Sequence, residues 1–104
     1  ITLSGGDPLD RNCEELQEVL NLCNLIKSEY PNKDIWIYTG YTLEQILNDK
    51  TDKANLQKQI IMSCDYLVDG PYMEHLRDLS IAFRGSTNQR IINIEENKHS
   101  IEKW

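Results

Sequence analysis

No stretch of this 104-residue chain approaches the roughly 20 consecutive apolar residues that a membrane-spanning helix requires, and no basic segment with an apolar run stands ahead of the first strand. A cytosolic protein is therefore expected. Basic charge is in deficit too: 11 Lys and Arg face 17 Asp and Glu, a formal net charge of -6. Such a chain lacks the positive field that releases counterions from nucleic acid or meets anionic headgroups. Neither nucleic acid nor membrane is expected as a partner, and a small ligand or another protein fits better. The three cysteines, Cys13, Cys23 and Cys64, are an odd number at spacings that match no zinc or iron-sulfur motif. They read as reduced thiols rather than a disulfide framework. His75 and His99 have no metal-ligand spacing either. No internal repeat is visible. The chain opens in mid-strand at Ile1 without an initiator methionine, which suggests a missing upstream portion.

What is present is an alternation of strand-like and helix-like segments, the sign of parallel βαβ units. The length suits one compact domain that buries roughly 60% of its unfolded surface. Ile1 to Leu3 reads as a strand running into Ser4, Gly5, Gly6, Asp7 and Pro8. Lacking a Cβ, Gly5 and Gly6 permit positive φ and let backbone polar groups approach a small ligand. Asp7 adds an acceptor, and Pro8 biases it toward extended backbone, so the acceptors are held before anything binds. The same five residues, taken alone, suit an ordinary strand-to-helix turn better. Asp10 or Asn12 can cap a following helix with Glu14 and Glu15 in its first turn. Its apolar stripe is Leu16, Val19, Leu20, Cys23, Ile26 and Tyr30, and Pro31 ends it. Cys23 on that stripe is expected as a small buried hydrophobe, while Cys13 and Cys64, at element ends, are expected to be more exposed. Neither has a neighbouring histidine or basic cluster to activate it.

A second strand, Ile35 to Tyr38, ends in Thr39, Gly40 and Tyr41. Thr42 with Gln45 three residues later spells a capping box for a short helix through Leu43, Ile46 and Leu47. Asn48 to Lys53 reads as a surface loop, with a further short helix around Leu56, Ile60 and Ile61. The third strand, Tyr66 to Val68, runs into Asp69, Gly70 and Pro71. Three strands ending in glycine turns would, in a parallel sheet, align those turns along one edge and draw a ligand rim. Asp69 there either caps the following turn or contacts the ligand. After a helical turn at Met73 to Leu76, Arg84 and Arg90 bracket a polar loop ahead of a last strand, Ile91 to Ile94. Two guanidiniums in an acidic chain suit a carboxylate, a phosphate or a partner's backbone, or simply a solvated turn. Glu95 to Trp104 reads as a polar tail beyond a domain of residues 1–94.

Taken in order, ITLSGGDPL, IWIYTGYT, DYLVDGPY and RDLSIAFRGSTNQRII resemble the activating proteins of anaerobic ribonucleoside-triphosphate reductase, a family of small radical S-adenosylmethionine enzymes. The likeness runs from Ile1 to about Ile94. SGGDP is shared among glycyl-radical activases, whereas VDGPY with FRGSTNQR is characteristic of the reductase activators. The resemblance implies an α/β fold, a partial radical-SAM-type β/α barrel with a mostly parallel sheet whose N-terminal strands are missing. It implies two cofactors, S-adenosylmethionine and a four-iron four-sulfur cluster, which together yield a 5'-deoxyadenosyl radical that takes a hydrogen from a reductase glycine. By position, Gly5, Gly6 and Asp7 would receive the methionine ammonium, Thr39 and Gly40 would line its other side, and Asp69 would lie at the third strand end. For Arg84 and Arg90, the polarity and position of their loop suggest partner docking or orientation of the substrate glycine loop. The implied partners are the reductase large subunit and an electron donor such as a flavodoxin. The family's Cys-x3-Cys-x2-Cys loop is absent, so the chain reads as a C-terminal portion, inactive alone and less stable than its parent, with one sheet edge and helix face left open. A pyruvate formate-lyase type activase, a non-catalytic nucleotide-binding module and a docking scaffold are the competing readings.

Overall fold

The computed structural model describes residues 1–3, 6–71, 73, 75 and 88–103. Expectations placed on Gly5 and Arg84, and most of the segment between Met73 and Asn88, lie outside the described residues. Helix α1 spans Cys13–Glu29 because Asn12 caps it, its side chain accepting from the Glu15 amide at 2.8 Å, with Glu14 and Glu15 at the positive end of the dipole. Leu16, Leu20, Cys23 and Ile26 form its buried stripe. Tyr30, counted on that stripe from spacing, is instead 57% exposed at the C-cap, past the last helical turn. The Thr42–Gln45 capping box is formed in both directions and starts α2, Leu43–Asn48. Thr51 caps α3, Asp52–Ser63, so the expected loop from Asn48 gives way to helix at Asp52.

Strands β1 (Thr2–Leu3), β2 (Trp36–Tyr38), β3 (Tyr66–Asp69) and β4 (Arg90–Asn93) form one sheet in the order β1-β2-β3-β4. The pairs β1/β2 and β2/β3 are parallel, while β4 runs antiparallel to β3. The sheet is therefore mostly parallel with a reversed edge. Register places Leu3, Ile37, Leu67 and Ile92 in one row across the sheet. That row faces the helices: it shares one apolar cluster with Leu16, Leu20, Cys23, Ile60 and Ile61, and α1 packs on α3 over it. The opposite face carries Trp36 stacked on Tyr66, ring centroids 4.4 Å apart. Burial pushes the Tyr38 phenol on that face above its ordinary pKa.

Two segments depart from expectation. The segment from Glu95, read as a tail, is helical: α4 covers Ile94–Glu102, capped by Asn93 and pinned by buried Ile94 and Ile101, which lie two turns apart on one side. Cys64 is buried, because its turn folds back onto the core and its thiol donates to the Ile61 carbonyl at 3.1 Å. No helix among the described residues is long and apolar enough to cross a membrane.

Candidate functional site

Parallel pairing brings the C-terminal ends of β1, β2 and β3 to one edge, and three hydrogen-bonded contacts tie those ends together. Asp7, just beyond β1, accepts from the Thr39 hydroxyl at 3.0 Å and the Gly40 amide at 2.8 Å through Oδ2. Its Oδ1 accepts from the Leu9 amide at 2.9 Å, a local turn that also orients the carboxylate. Across the next interval, the Gly70 amide donates to the Tyr41 carbonyl at 2.8 Å. Asp69 Oδ2 accepts from the Leu43 amide at 2.8 Å, where the first turn of α2 has no carbonyl to offer that donor. Gly6 and Gly70 hold φ of 127° and 97°, backbone that side chains with a Cβ rarely adopt.

These groups border an open depression of about 630 Å³. Asp7, Gly40, Tyr41, Gln45, Pro71 and Met73 are on its wall. Of the residues expected from sequence, Asp7, Thr39 and Gly40 therefore meet at one rim, with Thr39 buried behind it and Gly40 exposed, while Gly6 is exposed beside Arg11 and lines a separate depression against α1. Asp7 makes no ion pair among the described residues, so its charge is held by neutral donors. Tyr41 and Gln45 were not singled out from sequence as site residues. Tyr41 directly follows the second glycine turn, and that position was the available signal.

Asp69 and Arg90 take positions that differ from a ligand contact and a free docking group. Asp69 is fully buried. Arg90 Nε donates to Asp69 Oδ1 at 2.9 Å and Nη2 donates to Asp69 Oδ2. The other edge of the same guanidinium grips Glu44, Nη1 to Oε1 at 3.0 Å and Nη2 to Oε2 at 2.7 Å. Hydrogen bonding to Arg90 holds the Glu44 carboxyl below its ordinary pKa, and the two carboxylates push that of Arg90 up. Glu44, 46 residues from Arg90 in sequence, was given no role from sequence.

A family description reading "4Fe-4S single cluster domain" matches residues 1–92. The chain belongs to that family. Proteins named anaerobic ribonucleoside-triphosphate reductase-activating protein are similar to this chain over most of its length. The Escherichia coli K12 protein is 39% identical over 89 residues, 86% of this chain and 52% of the relative. Those of Vibrio cholerae and Enterobacteria phage T4 are 41% and 37% identical over 91 residues, 88% of this chain and 53% and 51% of the relatives. The chain thus spans about half the length of the curated relatives it matches. No solved structure matches.

The cysteines present do not fit a cluster of this kind. Cys13 is exposed at the start of α1, and Cys23 lies in the core on the same helix. The helical rise puts them about 15 Å apart, too far to share a cluster built on closely spaced thiolates. No group of three His, Cys, Asp or Glu side chains suited to a metal occurs among the described residues. Burial raises the Cys23 and Cys64 thiols above their ordinary pKa, keeping both protonated and inert near neutral pH. An aromatic disulfide reagent at pH 7 is accordingly expected to react quickly at Cys13, with Cys23 and Cys64 following only after denaturation. Rapid reaction of all three thiols in the native protein contradicts that burial.

Proposed function

We propose that this chain is the cofactor-orienting portion of an anaerobic ribonucleoside-triphosphate reductase activating protein, a radical S-adenosylmethionine activase that generates the glycyl radical on that reductase. The similarity to relatives so named supports the reading. The observation that carries it is the Asp7 carboxylate, anchored by three neutral donors, free of a counter-cation among the described residues, and opening on the depression. A carboxylate offers about four lone-pair positions, so one is left for a donor from outside. The methionine ammonium of S-adenosylmethionine suits it in charge and in having only donors. Gly40 leaves the space beside the Asp7 carboxylate free of a Cβ, and Thr39 buttresses Asp7 from behind, with Gly5 and Gly6 kept as candidates for the ammonium. The cofactor supplies the hydrogen-abstracting chemistry, and the protein supplies orientation and shelter from water.

In this reading the sheet is part of a larger radical-SAM-type β/α barrel. Parallel strands with helices on one face support it, as do the exposed apolar side chains of Ile1 just ahead of β1 and of Leu22 and Leu25 on α1, which a further strand beside β1 would cover. The reductase large subunit is the proposed partner, a flavodoxin-like protein the electron donor, and the cytoplasm the location. Arg84 is kept as a docking candidate. Asp69 is assigned to hold α2 rather than to touch the ligand. Because its cysteines do not fit a cluster, this chain alone is proposed to be inactive.

Calorimetric titration with S-adenosylmethionine, S-adenosylhomocysteine and ATP tests the binding claim. Both amino-acid-bearing ligands are expected to bind, since they share the ammonium, while ATP is repelled by Asp7 and Asp10 at the rim. Binding of ATP with neither of the others favours a nucleotide module and sinks the proposal, and silence from all three removes the ligand reading.

A further inference from the structure

We infer that Arg90 is a positioning residue for the strand-tip site, fixing where the segment from Gly40 to Leu43 stands by gripping Asp69 and Glu44 at once. The inference rests on the strand-tip rim being the ligand site, and it replaces the expectation that Arg90 docks a partner. Helix α2 has only six residues, well under the length at which an isolated helix persists in water. Its position must come from outside itself. One end of the connecting segment is fixed by the Gly40 amide on Asp7, the middle by the Tyr41 carbonyl under the Gly70 amide, and the far end by the Leu43 amide on Asp69.

The last of these anchors needs a partner of its own. A carboxylate as buried as Asp69 is tolerated only when its charge is matched, and Arg90 matches it with two donors on its two oxygens. The remaining edge of the fork holds both oxygens of Glu44 in the first turn of α2. One planar cation thus joins β4, the end of β3 and the start of α2, and sets the tilt as well as the distance of the helix. Lysine, a point charge with no fixed fork, cannot hold four oxygens in that arrangement. Because that segment carries Gly40 and Tyr41, and α2 carries Gln45, on the wall of the depression, a shift of this clamp moves the rim that orients Asp7.

Amide hydrogen exchange on the full chain tests the geometry without any ligand. In Arg90→Gln, exchange at Gly40, Tyr41 and Leu43 is expected to rise at least tenfold while Leu20 and Cys23 in α1 stay as in the wild type. Glu44→Gln, which leaves Asp69 paired and therefore folds, is expected to show the same local pattern at a smaller amplitude. Unchanged exchange at those amides in both variants overturns the inference, as does a uniform rise that includes Leu20 and Cys23 in both. The second arm is titration with S-adenosylmethionine. Arg90→Gln should raise Kd about tenfold at unchanged stoichiometry, with Arg90→Lys in between, whereas a purely structural residue would lower the stoichiometry and leave Kd alone. A wild-type Kd retained in Arg90→Gln overturns the positioning role. Absence of binding to the wild type defeats the ligand assignment instead, and the exchange arm then decides the inference by itself.

Discussion

Asp7→Ala is expected to abolish measurable binding of S-adenosylhomocysteine, a weakening of a hundredfold or more, and to lower the melting temperature at the same time. Two effects combine. The direct one is loss of the free lone pair of the Asp7 carboxylate, where a charge-assisted hydrogen bond contributes about 1.5–3 kcal/mol. The indirect one is release of Thr39 and Gly40, which Asp7 draws toward β1 from 32 and 33 residues away. Asp7→Asn separates them: the amide oxygen can still accept on one side, so stability falls less than in the alanine variant, while the ammonium loses its counter-charge and affinity falls as far. Melting curves and calorimetry on the three proteins give the comparison. An alanine variant that binds like the wild type would falsify the assignment of Asp7.

Leu67→Ala is expected to have the largest effect on stability. Leu67 is fully buried on β3, flanked by Ile37 of β2 and Ile92 of β4 in the row that the helices cover. Truncating such a side chain destabilises by about 2–5 kcal/mol, the lost transfer energy plus the cavity left behind. Domains of this size have only about 5–15 kcal/mol in total, and each 1 kcal/mol moves the midpoint by roughly 4–8 °C. A fall in melting temperature of about 10 °C or more is therefore anticipated, followed by thermal denaturation monitored in the far ultraviolet. A shift of only a degree or two would mean that this row is not the centre of the core.

Much of the architecture was legible because its causes are local. Periodic apolar residues announced α1, the Thr42–Gln45 pair announced α2, and glycine after each of three β-prone runs announced strand tips that meet at one edge. Tip convergence needed only the inference that the strands are parallel, and Asp7, Thr39 and Gly40 do converge. What escaped depends on partners far along the chain. Nothing around Asp69 or Glu44 hints that Arg90, 21 and 46 residues away, will bind both. The reversal of β4 is likewise invisible in its own composition. In α4 only Ile94 and Ile101 mark the buried side, too sparse a pattern to separate a short docked helix from a polar tail. Tyr30 misled for the converse reason, since spacing continued one residue past the point where the helix ends.

The arginine fork has a consequence for timing. Protein synthesis is vectorial, and the acceptors and turns of the described strand-tip rim are made before residue 90 leaves the ribosome. A nascent chain that ends short of Arg90 holds the first three strands and the sequence of α2, yet lacks the cation that sets them in place. The finished rim would then arrive late and in one step, when the reversed edge strand zips onto β3.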